Sequence, residues 1–163
     1  MKTAVYPGSF DPVTKGHLDI IERAASVFDR VVVVAMVNSK KKPAFSLEER
    51  CRFLEKCTEK YKNVEIKTSD GLLAEWVKSI GDCVLVKGLR AVSDFESEFQ
   101  MALINRKLNP KLETLFLPTT EENLYLSSSI VKEVCMLGGD ISPFVDEAIL
   151  EEVKNKLLRG EQK

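Results

Sequence analysis

Two kinds of apolar pattern alternate along this chain. Residues 31–37 form an unbroken run of β-branched and other apolar side chains, and residues 83–87 form another strand candidate, apolar up to its last residue, Lys87. Such runs read as parallel strands covered on both faces. Between them, apolar positions recur every three or four residues, the period of a helix lying on a sheet. Leu18, Ile21, Ala25 and Phe28 make one such stripe, widened by Ile20, Ala24 and Val27, with Asp19, Glu22, Arg23 and Ser26 opposite. Residues 3–6 predict a first strand stopped by Pro7 and Gly8, and the helix after it starts near Lys15 or Gly16. Ser46 with Glu49 is a capping box opening a helix to about Lys60. Residues 64–68 alternate like a strand. Leu72, Leu73, Trp76, Val77 and Ile80 then mark a helix that Gly81 is placed to end.

Ser93 with Glu96 repeats the capping box and opens a helix to about Leu108, acidic early and basic late, as the helix dipole favours. Residues 113–117 read as a fifth strand. A short helix over residues 128–137, the Gly138-Gly139 break and a last amphipathic helix over about residues 143–158 complete the chain. Strands alternating with helices, without repeats or linker, predict one doubly wound α/β domain over residues 1–163, a five-stranded parallel sheet of Rossmann-like type with C-terminal helices. Ligands of such sheets bind beyond the carboxyl ends of strands, where the strand order reverses. The loops after strands one, two and four, which carry His17, Lys41 and Arg90, should therefore converge.

Composition narrows the partners. The 24 Lys and Arg balance 25 Asp and Glu, a formal charge of -1, which argues against a general nucleic-acid or membrane-surface binder. Four cysteines without C-x-x-C spacing, and a single histidine, do not make a typical zinc set. They read as reduced, mostly buried thiols. The longest apolar run is far short of the roughly 20 residues that span a bilayer. The N-terminal residues lack the apolar stretch of a signal peptide, so a cytoplasmic location is expected.

The chemistry concentrates in residues 6–19, YPGSFDPVTKGHLD, where a strand runs through a turn-rich loop into a helix start. Helix N-termini leave N–H groups unpaired and carry partial positive charge, so this is an anion site. It is neither of the commoner nucleotide loops. G-x-x-x-x-G-K-[ST] is missing, and Gly8 and Gly16 do not form G-x-G-x-x-G. What stands there is Thr14-x-Gly16-His17. On residue type alone, His17 is a helix-start residue, Lys40 to Lys42 a solvated charge run, and Ser127 to Ser129 a helix cap. Arg90 has two readings, a surface ion pair with Asp94 or Glu96 or, following a buried strand and a glycine, a phosphate clamp. The clamp is preferred.

The combination of TKGH with a late Ser-Ser-Ser before a helix resembles the nucleotidyltransferase superfamily, which shares a T/H-x-G-H motif. Four blocks, YPGSFDPVTKGHLDII, KKPAFSLEER, KGLRAVSDFESEFQMALINRKL and YLSSSIVKEV, are similar within it to the bacterial phosphopantetheine adenylyltransferase family. The similarity covers nearly the whole chain. It implies adenylyl transfer from ATP to 4′-phosphopantetheine, giving dephospho-coenzyme A and pyrophosphate, and a homohexamer built as a dimer of trimers. It implies roles for individual residues. Ser9 and Phe10 match ATP contacts, with Ser9 also facing the acceptor phosphate, and His17 matches the group that stabilises the transition state. Lys41, Leu73 and Lys87 match acceptor contacts. Gly88, Leu89, Arg90 and Glu98, with Asn123, Leu124, Tyr125, Leu126, Ser127, Ser128 and Ser129, match the ATP site. Ser9 stands where many relatives have Thr, and Lys87 where some have Arg, which loses bidentate geometry.

The reaction is also consistent with the residues present. A phosphate monoester, with a second pKa of about 6, is already an anionic nucleophile at neutral pH. Attack on the α-phosphorus of ATP needs alignment and positive charge more than a general base, and no covalent intermediate. The chain offers cations after several strands and no obvious nucleophile–base pair. Mg²⁺ is expected to travel on the nucleotide phosphates, with no protein ligand assigned. The alternatives are another phosphorylated acceptor such as nicotinamide mononucleotide, use of CTP, or a non-catalytic nucleotide-sensing module.

Overall fold

A computed structural model describes residues 2–37, 42–90 and 92–159, with Val92 and Ser93 described by backbone alone. Five parallel strands form one sheet: β1 (Thr3–Gly8), β2 (Arg30–Met36), β3 (Val64–Ser69), β4 (Cys83–Leu89) and β5 (Glu113–Pro118). Their order is β3-β2-β1-β4-β5. The chain winds outward one way from β1 to β3, then returns to the other side of β1. The order therefore reverses between β1 and β4, which places the crevice of the doubly wound fold there.

The β2 run behaves as its composition dictates. Val31, Val32, Val33, Val34 and Ala35 are all fully buried. Their alternation divides them between the two faces of the sheet. Val31, Val33 and Ala35 join Ala4, Tyr6 and Val86 in the larger core, under helices α1 (Lys15–Val27), α2 (Leu47–Thr58), α5 (Ser128–Met136) and α6 (Glu147–Arg159). Val5, Val32, Val34 and Leu85 face a smaller core with Ala74 and Val77. That face is covered by α3 (Leu73–Trp76), the 3-10 turn Val77–Ser79, and α4 (Val92–Leu108).

Several boundaries differ from expectation. β1 runs through Pro7 to Gly8, because a parallel neighbour accepts a proline where no N–H is required of it. Val27, on the expected apolar stripe, is 71% exposed, although Ala24 in the same turn is buried. The expected third helix is one α-helical turn followed by a 3-10 turn, ended by Gly81 at φ 86. α6 begins at Glu147, because residues 143–146 are spent on turns, with Phe144 and Val145 bonded back to the Ile141 carbonyl. An extra 3-10 turn, Glu121–Asn123, lies in the loop before α5. The Ser46 cap holds as expected: Glu49 N–H donates to Ser46 Oγ at 3.2 Å and Ser46 N–H donates to Glu49 Oε2 at 2.7 Å. The matching cap at Ser93 lies outside the described side chains, and α4 begins at Val92.

Candidate active site

The switch point opens into a cleft of about 740 Å³. Its walls come from the ends of β1, β2 and β4, the starts of α1, α3 and α5, and one side of α4. Ser9, His17, Leu73, Lys87, Gly88, Arg90, Glu98, Leu126, Ser127, Ser128 and Ser129 all line it. These residues come from nearly the full length of the chain. The convergence of the β1 and β4 loops is as the strand order requires.

His17 occupies the third position of α1, with Thr14 as N-cap. The Thr14 backbone N–H donates to His17 Nδ1 at 3.0 Å, and the Thr14 hydroxyl lies 3.0 Å from the same nitrogen. In return His17 N–H donates to Thr14 Oγ1 at 3.4 Å. This is a capping box in which imidazole replaces the usual Glu or Gln. Because Nδ1 accepts, the neutral ring carries its proton on Nε2, which is left to serve the cleft. Burial and, secondarily, the Arg90 charge push the His17 pKa down to about 4. The ring is therefore neutral at pH 7, so what it can offer the cleft is a neutral hydrogen-bond donor and not a cation.

The loop between β1 and α1 is packed around one aromatic ring. Phe10 is fully buried at φ 47, a left-handed conformation that costs a non-glycine residue on the order of 1 kcal/mol. Its ring stacks edge-on to Tyr6 at 5.5 Å and to His17 at 5.1 Å between centroids. The Phe10 side chain thus lies behind the cleft wall, supporting the imidazole. Burial also raises the Tyr6 phenol pKa well above its ordinary value, so it stays neutral in the cleft floor.

The two cations at the β4 end are already engaged. Lys87 Nζ lies 3.2 Å from Glu98 Oε2, an ion pair without hydrogen-bond alignment, since that oxygen forms none. Arg90 Nε donates to Asp94 Oδ2 at 2.9 Å, and Arg90 Nη1 donates to the Leu126 carbonyl at 2.7 Å. The ion pair with Asp94 weighed for Arg90 therefore exists, yet Arg90 still lines the cleft. Asp94 and Glu98 are one turn apart on α4, so one face of that helix holds both cations against the opening.

At the far wall, Ser127 Oγ caps α5 by accepting from Ile130 N–H at 3.2 Å, and Ser128 Oγ donates to the Pro12 carbonyl at 2.8 Å. Asn123 packs beside Gly16, where an added Cβ would meet its side chain at 3.5 Å. Leu89 is not on the wall, and its carbonyl accepts from Thr119 N–H at 2.8 Å. Leu124 and Tyr125 are exposed and off the wall, with the Tyr125 ring edge-on to Phe144. Lys41 lies outside the described residues.

The sequence reading missed several wall residues. Asp94, Ser97, Met101 and Asn105 line the cleft from α4, and Asn105 is buried. An asparagine that directly follows the apolar run 101–104 in a helix is the one signal that could have singled it out. Among the described residues no group of three or more His, Cys, Asp or Glu is arranged to hold a metal ion.

A parallel sheet with its crevice at the β1–β4 reversal, walled by a T-x-G-H helix start, two cations and a serine-capped helix, defines a nucleotidyltransferase of the α/β type. A family profile described as cytidylyltransferase-like matches residues 5–134. The Clostridium perfringens (strain SM101 / Type A) phosphopantetheine adenylyltransferase is 52% identical over 163 residues, 99% of each chain. That of Caldanaerobacter subterraneus subsp. tengcongensis is 51% identical over 160 residues, 98% of this chain and all of its own. The chain belongs to the phosphopantetheine adenylyltransferase family, within the cytidylyltransferase-like group. The fold is shared more widely: Plasmodium falciparum nicotinic acid mononucleotide adenylyltransferase complexed with NaAD superposes with a TM-score of 0.66 at 14% identity, over 98% of this chain and 96% of its own.

Proposed function

We propose that this protein transfers the adenylyl group of ATP to 4′-phosphopantetheine, forming dephospho-coenzyme A and pyrophosphate. The observation that carries this is full-length identity of about half to relatives bearing that enzyme name. An oxygen of the acceptor phosphate bonds to the α-phosphorus as the bond from that phosphorus to the oxygen bridging to the β-phosphate breaks, and pyrophosphate leaves. No enzyme atom bonds to phosphorus. The acceptor monoester, with a second pKa of about 6, is already deprotonated at pH 7. His17 donates from Nε2 to the α-phosphate as its charge builds, the part of the reaction where a fixed donor does most.

Lys87 and Arg90 neutralise phosphate oxygens. Their pairing to Glu98 and Asp94 supports this reading, because it keeps both cations aimed at the cleft before substrate enters. We assign the acceptor to Ser9, Lys41, Leu73 and Lys87. ATP is assigned to Ser9, His17, residues 88–90, Glu98 and Asn123, together with Leu126, Ser127, Ser128 and Ser129. Phe10 contributes through its backbone, since its ring is buried behind His17. Leu124 and Tyr125 contribute no side chain, as both are off the wall.

Mg²⁺ would arrive on the nucleotide and neutralise phosphate charge. The donor set suits that route: Asp94 and Glu98 are the α4 carboxylates of the cleft, each held by a cation, so the ion depends on phosphate and water oxygens. We infer a homohexamer, supported by the exposed apolar side chains of α4, among them Phe95, Phe99, Leu103 and Ile104. A monomeric mass by light scattering overturns it. A cytoplasmic location is inferred from the thiols of Cys51, Cys57 and Cys83, which stand outside any disulfide.

Incubation with ATP and 4′-phosphopantetheine should release pyrophosphate and dephospho-coenzyme A in equal amounts. A panel with nicotinamide mononucleotide as acceptor and CTP as donor runs beside it. Turnover confined to another pair, or ATP binding without turnover for any acceptor, overturns the proposal.

A further inference from the structure

Among the described residues, Asp11 and Arg50 are the two charged side chains that are buried, Arg50 at 4% exposure. Both act on the same short loop. Arg50, from the first turn of α2, donates through Nη1 to the Ser9 carbonyl at 2.7 Å and to the Met36 carbonyl at 3.0 Å. The β1–β2 ladder ends at the pair Gly8 and Ala35, so Ser9 and Met36 are the next residue of each strand. Arg50 supplies a rung where the backbone ladder has run out. Two residues along, Asp11 accepts from Ala44 N–H at 3.0 Å and Phe45 N–H at 2.9 Å, and from Lys132 Nζ at 2.8 Å. The segment leading into α2 and the loop after β1 are thus tied at two points.

Stability alone explains Arg50 poorly. It is a buried cation held by neutral carbonyls, and its Nε forms no hydrogen bond among the described residues. An unsatisfied buried donor costs about 1–3 kcal/mol, and an apolar side chain of similar shape often serves a core as well. A local rule broken beside a cleft points to a positional task. Ser9 and Met36 both line the cleft.

We propose that Arg50 is a positioning residue for the phosphorylated acceptor, holding Ser9 and the end of β2 in register, with Asp11 fixing the same loop from its other end. The assignment rests on the reading that Ser9 faces the acceptor phosphate while ATP keeps most of its contacts at residues 88–90 and the α5 cap. Arg50 touches neither substrate. Its loss should therefore loosen acceptor binding more than ATP binding, because Ser9 is one ATP contact among many.

The test is steady-state kinetics with both substrates varied. Arg50→Met should raise the KM for 4′-phosphopantetheine about 10- to 30-fold, with KM for ATP and kcat each within about 3-fold of wild type, the signature of lost acceptor binding. Arg50→Lys, which can still reach one carbonyl, should lie between. Asp11→Asn should give the same selective rise, and with Arg50→Lys it carries the test if Arg50→Met does not fold. Thr58→Val, which removes the bond from Thr58 Oγ1 to the Leu54 carbonyl in the same helix, should lower Tm without moving either KM. Equal rises in both KM values, a lowered Tm with unchanged kinetics, or the same split from Thr58→Val would overturn the inference. Wild-type enzyme that ignores 4′-phosphopantetheine overturns the functional reading instead, and the variants are then compared on whichever acceptor the panel identifies.

Discussion

Thr14 and His17 cap each other: the threonine N–H donates to imidazole Nδ1 at 3.0 Å, and the histidine N–H donates to the threonine hydroxyl at 3.4 Å. A helix start and the tautomer of the ring are set by one pair of contacts. His17→Ala should lower kcat on the order of 10²- to 10³-fold while ATP affinity stays close to wild type, as for a donor that acts mainly in the transition state. Thr14→Val keeps the backbone contact but loses the hydroxyl. It should cost about 1 kcal/mol of stability and lower kcat by roughly 3- to 10-fold. Kinetics beside calorimetric ATP titration check both, and a His17→Ala enzyme with normal kcat and weak ATP binding would contradict the assigned role.

Gly8 is required by its neighbour. A Cβ there would sit 2.8 Å from Phe10 Cζ and 3.1 Å from two more ring atoms. The ring has little room to move, being buried between Tyr6 and His17. Gly8→Ala should therefore destabilise by about 1–3 kcal/mol and displace the imidazole, with kcat falling about 10-fold. Adding Phe10→Leu removes the obstructing ring edge and should recover part of the stability, read from the urea midpoint. No recovery would show that the strain lies elsewhere.

Protonation should act on substrate and enzyme in different windows. The His17 pKa is about 4 in the folded chain, against 6.5 for the free group. The unfolded chain therefore takes up the proton first, and stability falls as pH drops from about 6.5 toward 4, levelling below that. Between pH 7.5 and 5 the loss assigned to this group is roughly 1–2 kcal/mol, allowing for the open side of the ring. Urea unfolding at the two pH values checks it: His17→Ala should lose less on acidification than wild type. The rate should instead decline near pH 6, where the acceptor phosphate protonates, and a limb that moves with substitutions at His17 would refute that origin.

Local patterns were legible in the sequence wherever one physical rule acted alone. The burial of Val31 to Ala35 follows from their unbroken apolar run, and the Ser46–Glu49 cap from its spacing. The Thr14–His17 cap obeys the same geometry, but the expected partner is a carboxylate, so an imidazole in that position goes unnoticed. Val27 continues the apolar stripe of α1 and is nonetheless exposed, since periodicity gives a face of the helix and not what packs over each position of it. The cleft residues of T-x-G-H and the serine cap were found by motif. Asp11 and Arg50 were not, because their meaning lies in contacts across the fold. Arg50 reaches Ser9 from 41 residues away, and Asp11 meets Lys132 from 121. Nothing in their immediate surroundings announces such partners.

In the role proposed for His17, its occupied Nδ1 has a consequence for the catalytic cycle. A group that lends a hydrogen bond without giving up its proton ends each turnover in the state in which it began. The enzyme then needs no recharging step between product release and the next substrate, and no buffer or water chain to carry one. The same donor serves pyrophosphate attack on the adenylylated product as well as the forward transfer. Direction is therefore left to the concentrations of the four reactants.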